Sequence, residues 1–203
     1  MPTVSMKEYK DILRAEYLDG KTRAFPQLQE SYAAGDWEEF QSVVMLNYEV
    51  MPEAFAFYYD DMPEQFRRDF VVSCYGHHGD SLPACRKALR ALPKNGINEL
   101  PKAYRDKEYI TVYRAGEEDP DKAKYRLSWT LDKKVALFFM QDYIGSRYRT
   151  QYLYRAKIRP CDVIAYNNNR NEKEVLQYRK VFDVEIIGDK TIYPANTKIF
   201  RDD

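Results

Sequence analysis

Three pieces, VYRAG (112–116), LSWT (127–130) and NEKEV (171–175), decide how the second half of this chain folds. Each is read as a strand, and each carries a polar group where an apolar one would be expected. In the run EYITVYRAG (108–116), side chains alternate, so Ile110, Val112 and Arg114 share one face. That apolar face ends in a guanidinium. Taken alone, Arg114 reads as a surface ion-pair partner; followed by Ala115 and Gly116, it also suits bidentate grip on a phosphate at a strand end. In LSWT, Ser128 and Thr130 fall on one face and Trp129 on the other. Asp132 is placed to cap a helix that begins at Lys133 and carries Ala136, Phe138 and Phe139. In NEKEV, alternation sets Glu172 and Glu174 side by side, about 7 Å apart, with Lys173 facing away. Two like charges at that distance gain nothing for folding. They read either as an exposed strand edge or as a carboxylate pair that stabilises a glycosyl cation and handles an acceptor.

Outward from these pieces, LYRAKI, DVIAY and VFDVEIIG are further short, β-rich runs separated by turn residues, with the helical run DKKVALFFMQDY among them. The first 95 residues read differently. From Ser5, Tyr9, Ile12, Leu13 and Tyr17 recur at helical spacing, Ser5 and Glu8 stand in capping-box positions, and Gly20 is expected to end the helix. A second amphipathic run follows Pro26. Asp36 is placed to cap a third, with Phe40, Val43, Val44 and Leu46 on one side. Pro52 and Pro63 each open a short helix. Tyr75–Asp80 is expected to form a glycine-bounded turn, and Pro83 opens a helix that Pro93 stops. Helices followed by strands indicate an α+β fold, with a helical region over 1–95 and a strand-rich core over 96–203.

Lys+Arg and Asp+Glu balance at 32 each, so gross charge does not call for a polyanionic partner. The two regions differ: residues 1–95 carry 11 basic and 15 acidic side chains, and residues 96–203 carry 21 and 17. Cys74, Cys85 and Cys161 are too few and too scattered for a disulfide framework or a CxxC site. They point to a reducing, cytoplasmic setting. No apolar run approaches the roughly 20 residues of a membrane span, and the first ten residues lack the apolar centre of a signal peptide. No membrane association is expected.

His77 and His78 are adjacent, without chelating spacing to further ligands, so they are read as turn residues and no metal site is expected. The segment GSRYRTQYLYRAKIRP (145–160) interleaves Arg147, Arg149, Arg155, Lys157 and Arg159 with Tyr148, Tyr152 and Tyr154. It suits stacking and phosphate pairing with a single-stranded nucleic acid. It equally suits a strand with one solvated basic face and one tyrosine-lined apolar face.

Taken in order, Arg114 on the first strand, Ser128-x-Thr130 on the second with its helix behind, and Glu172-x-Glu174 later, the set resembles the Arg-Ser-Glu branch of the ADP-ribosyltransferase superfamily. The resemblance spans about residues 108–190. It departs from the common Ser-Thr-Ser form in that Trp129 replaces the middle Thr. It implies a split β-sandwich for the 96–203 core and NAD as co-substrate. Arg114 would then bind an NAD phosphate, and Ser128 would hold the nicotinamide ribose and orient the catalytic Glu174. Thr130, Tyr113, Gly116 and Phe139 would complete the NAD site. Glu172 would orient or deprotonate the acceptor, which in the family goes with modification of arginine. The loop 167–171, with Asn169 and Arg170, would read the target together with Tyr148 and Arg149. Tyr143 or Tyr148 would lie against nicotinamide.

The expected function is therefore an NAD-dependent mono-ADP-ribosyltransferase acting on a macromolecular acceptor, a protein arginine in the first instance. RNA or DNA is the alternative acceptor, as in a toxin or phage-related effector. An NAD glycohydrolase, or a non-catalytic module in which Arg114 and the carboxylates form an ion-pair network, stands further off. The helical region has three roles open to it: a lid, an acceptor platform, or a docking surface for a neutralising partner protein.

Overall fold

The computed structural model describes residues 6–78, 82–117, 119–141, 152–168 and 171–189, the side chains of 6–14, 16, 17, 77 and 78 excepted. The chain forms two compact units, Met1–Ala91 and Leu92–Asp203. The first is helical. Helix α1 (Met6–Ala34) runs straight through Gly20 and Pro26, where the sequence pointed to a stop and a fresh start. The reason is a stripe that continues across both residues: Gly20, Ala24, Leu28 and Ser31 are buried at spacings of four, four and three, while Pro26 is exposed. Gly20 serves packing rather than termination, because a Cβ there would stand 3.1 Å from the Glu49 side chain.

Helix α2 (Trp37–Leu46) starts at Asp36, whose carboxylate accepts the Glu39 amide at 3.0 Å. Phe40, Val43 and Val44 face the core, but Leu46, expected beside them, is 79% exposed. Its position lies about 60° of helix rotation outside Val43, the nearer edge of that stripe, and about 110° from the stripe's centre. A 3-10 turn, the single turn α3 (Met51–Glu53), a π-turn over Ala54–Tyr58 and another 3-10 turn follow, so Pro52 opens only one α-turn. Helix α4 (Glu64–His78) carries on through 75–78, overturning the turn expected there. Helix α5 (Pro83–Ala91) buries Cys85, Ala88 and Leu89. An aromatic cluster joins these elements: Phe40 lies 5.9 Å from Phe70 and 5.4 Å from Trp37, and Phe55 lies 5.2 Å from Phe70. All three cysteines are free, and burial pushes the Cys85 thiol up to about 12.

The second unit is built on one six-stranded antiparallel sheet in the order β4-β5-β2-β1-β3-β6. Its strands are β1 (Ile110–Gly116), β2 (Ser128–Thr130), β3 (Tyr152–Ile158), β4 (Val163–Asn167), β5 (Glu174–Gln177) and β6 (Phe182–Asp189). Short helices α6 (Lys102–Arg105) and α7 (Pro120–Ala123) flank β1, and α8 (Lys133–Gln141) follows β2. The α+β class follows from this order of helices and sheet. One side of the sheet carries the larger core, with Ile110, Val112, Trp129, Tyr154, Ala156, Ile158 and Val175. On the other side Ala136 and Met140 of α8 pack with Leu153, Tyr113 and Ala115.

One sheet edge is covered by the chain that enters the unit. The turn Gly96–Asn98 lies so close to β4 that a Cβ on Gly96 would meet the Ile164 carbonyl carbon at 2.4 Å. Only glycine admits that approach. Glu99 then accepts the Tyr166 amide at 2.9 Å, giving the β4 edge a partner. At the opposite edge, β6 shifts register twice against β3, and Asp183 adopts a positive φ of 50°. Such irregularity blunts an edge that would otherwise template further pairing.

Candidate active site

Strands β1, β2 and β5 are neighbours in the sheet, so Arg114, Ser128 and Glu174 come together although Glu174 lies 46 residues beyond Ser128. Alternation puts Ser128 and Glu174 on the face opposite Trp129 and Val175, which belong to the larger core. In the β2–β5 register Thr130 stands opposite Glu174, and Ser128 opposite Leu176. Ser128 therefore reaches Glu174 on the diagonal, its Oγ donating to Oε1 at 2.6 Å. Glu174 is only 7% exposed. A carboxylate so enclosed needs a fixed donor, and the serine supplies one.

Arg114 belongs by alternation to the Val112 side of β1, away from Ser128 Oγ. The link between them is the backbone: Arg114 Nη1 donates to the Ser128 carbonyl at 2.7 Å. Carbonyls lie in the plane of a sheet, so they are reachable from either side. β1 and β2 share the single register pair Tyr113↔Thr130, and past it the guanidinium holds the start of β2. Arg114 Nε is buried with no hydrogen-bond partner among the described residues, an unused donor beside the serine.

Alternation was expected to pair Glu172 with Glu174, and the backbone departs from it. β5 begins at Glu174, and Lys173 adopts a left-handed φ of 46°, as Asn171 does at 55°. Period-two geometry does not extend across Lys173. Glu172 instead ends a turn, half-buried, its carbonyl accepting Thr130 Oγ1 at 2.6 Å. The same hydroxyl accepts the Asp132 amide at 3.0 Å, so Thr130 ties the turn before β5 to the start of α8. Asp132 caps α8 through the Lys134 amide at 2.9 Å and pairs with Lys173 Nζ at 2.8 Å. Burial by itself raises the Asp132 carboxyl, but the Lys173 hydrogen bond, the Lys134 amide and both lysine charges outweigh it and hold the group below its ordinary range. The Lys173 ammonium is raised in turn, first by the Asp132 hydrogen bond.

Among the other residues singled out from the sequence, Tyr113 packs on α8 with Ala136 and Met140. Gly116 ends β1, its carbonyl accepting Tyr154 Oη at 3.3 Å. Phe139 is half-buried on α8, edge-on to Phe138 at 5.6 Å between centroids. Trp129, at the variant position of the motif, is core: it is 2% exposed, and its Nε1 donates to the Arg126 carbonyl at 2.9 Å. Tyr143, Arg147, Tyr148, Arg149, Asn169 and Arg170 lie outside the described residues. The part of the basic segment that is described forms β3, with Tyr154 fully buried. Its cations face carboxylates: Arg155 meets Glu185 at 2.6 Å, Lys157 meets Asp183 at 2.9 Å, and Arg159 meets Asp162 at 2.8 Å. Asn168 belongs to the loop expected to read the target, but Lys173, expected to face away, was not foreseen as part of the site, and a lysine gives no sequence signal for left-handed backbone.

Among the described residues, no group of three His, Cys, Asp or Glu side chains is placed to hold a metal ion. No helix among them is long and apolar enough to cross a membrane. No family model, curated protein or solved structure matches the chain.

Proposed function

We propose that this protein is an NAD-dependent mono-ADP-ribosyltransferase, with its second unit a split β-sandwich of the ADP-ribosyltransferase type. The observation that carries the reading is the connection Arg114–Ser128–Glu174 across three adjacent strands. A guanidinium that grips the serine backbone and a serine hydroxyl that aims a buried carboxylate are what glycosyl transfer from NAD requires. The bond from ribose C1′ to the nicotinamide nitrogen breaks, and its electron pair leaves with nicotinamide. Glu174 accepts from the ribose 2′-hydroxyl and stabilises the oxocarbenium-like transition state, by preorganised charge rather than by a covalent bond. Arg114 is assigned to a phosphate oxygen of NAD.

Glu172 is assigned to the acceptor, which we take to be an arginine side chain of a protein in the cytoplasm. A nucleic-acid acceptor is less favoured because Arg155, Lys157 and Arg159 face carboxylates rather than forming an open phosphate track. The test is incubation of the protein with labelled NAD and cell lysate, followed by protease or nuclease. Label released by protease alone supports a protein acceptor; label released by nuclease alone overturns it in favour of RNA or DNA. Nicotinamide release without transferred label would make the protein an NAD glycohydrolase. Glu174→Gln that keeps its fold and its full transfer activity overturns the enzyme reading.

A further inference from the structure

Glu174 and Glu172 are held by different means. Glu174 is fixed within β5 by pairing with Thr130 on one side and Asn167 on the other, and by Ser128 Oγ. Glu172 stands outside the strand, joined to it through Lys173, whose φ of 46° is one that L side chains rarely adopt. Three contacts hold that residue: its amide donates to Asn168 Oδ1 at 3.0 Å, its carbonyl accepts the Leu131 amide at 3.0 Å, and its ammonium meets Asp132 Oδ2 at 2.8 Å. Glycine would satisfy the backbone more easily. What glycine lacks is the tether.

We propose that the Asp132–Lys173 ion pair is a positioning device that sets Glu172 against Glu174, and so decides whether ADP-ribose passes to a guanidinium acceptor or to water. The inference rests on the transferase reading above. Both routes begin with loss of nicotinamide, which Glu174 and Ser128 serve. They diverge when C1′ forms its new bond. In transfer, a guanidinium nitrogen bonds C1′ and passes its proton to the Glu172 carboxylate; in hydrolysis, a water oxygen forms the bond and a proton goes to solvent. Glu172 counts only if its carboxylate meets the guanidinium while C1′ is exposed. Because the pair acts on Glu172 and leaves the strand anchors of Glu174 in place, loosening it should alter the partition more than the rate of nicotinamide loss.

The experiment uses the full chain with NAD and agmatine as guanidinium acceptor, and measures nicotinamide released and agmatine modified. Lys173→Gly removes the tether while relieving the backbone. Its transferred fraction is expected to fall about two- to five-fold, the scale of a half-exposed ion pair, with nicotinamide release kept. Asp132→Asn retains the helix-cap acceptor and should fall alike, the double variant no further, and Lys173→Arg should restore most of the fraction. An unchanged fraction in Lys173→Gly overturns the inference alone. So does equal loss of release and transfer in that variant when its far-ultraviolet circular dichroism is unaltered. Absence of nicotinamide release from the unsubstituted chain overturns the transferase reading, and this inference with it.

Discussion

Ser128 Oγ lies 2.6 Å from Glu174 Oε1, a diagonal contact between β2 and β5 that leaves Thr130 directly opposite the glutamate. The division of labour follows from the register. Thr130 faces Glu174 yet turns its hydroxyl to the Glu172 carbonyl, while the serine two residues earlier aims the carboxylate. Ser128→Ala should therefore keep the sheet and lose the aim. A hydrogen bond to a charged group is worth about 1.5–3 kcal/mol, so NAD cleavage should slow by about 10- to 100-fold. Steady-state nicotinamide release, with circular dichroism as the control for folding, checks this; a variant within twofold of the parent would separate Ser128 from the chemistry.

In the proposed transferase Arg114 would meet an NAD phosphate as well as hold the Ser128 carbonyl. Arg114→Lys retains the charge but replaces a planar fork by a single ammonium, which cannot serve a carbonyl and a phosphate in fixed directions at once. The expected outcome is a rise of about tenfold in KM for NAD and a loss of about 1 kcal/mol in stability. NAD titration and urea unfolding measure the two effects separately. Unaltered KM with lowered stability would make Arg114 a purely structural residue.

Gly96 is required by contact rather than by dihedral angle. In Gly96→Ala the new methyl would press on the Ile164 carbonyl carbon from 2.4 Å, and because the atoms it meets are the Ile164–Ala165 backbone they have little room to yield. Overpacking of this kind costs about 1–3 kcal/mol. The melting temperature should fall by several degrees, and the β4 amides should lose protection from hydrogen exchange before those of β1.

How much was legible depended on how local the cause was. The caps at Asp36 and Asp132 and the strands around Val112, Ala156 and Ala165 could be read because a cap or a period-two pattern lies within a few residues. Gly20 and Pro26 misled because both have local helix-breaking chemistry, whereas the stripe of Ala24, Leu28 and Ser31 that overrides it is tertiary. Leu46 misled for the converse reason: an apolar residue near a helix end is exposed when its angle misses the stripe. In the site, the order Arg, Ser, Glu was visible along the chain, but the diagonal reach from Ser128 depends on register, which spacing over 46 residues does not set. Lys173 was beyond reading, since lysine has no left-handed preference and its conformation is imposed by Asn168, Leu131 and Asp132. The basic face of β3 likewise looked open to phosphate because Glu185 and Asp183 lie about 30 residues further on.

The Asp132–Lys173 pair also gives stability a defined pH window. Asp132 is held below its ordinary 3.8, so its contribution is present above that value and is lost as pH falls through the lower folded value. Lys173 is held above its ordinary 10.5, so its contribution is present below that value and is lost as pH rises through the higher folded one. Between the two limits the pair is fully charged and its contribution is flat. Asp132→Asn keeps an acceptor for the Lys134 amide and removes only the charge, so the difference from the parent isolates the pair. Urea midpoints measured across the pH range should differ by a constant amount near neutrality, and the gap between the two curves should narrow as pH falls below 3.8 and again as it rises above 10.5. Because both side chains are partly exposed, 0.5 M salt should narrow the neutral gap. A gap that does not narrow as pH falls below 3.8 would place the effect of Asp132 in its cap rather than in its charge.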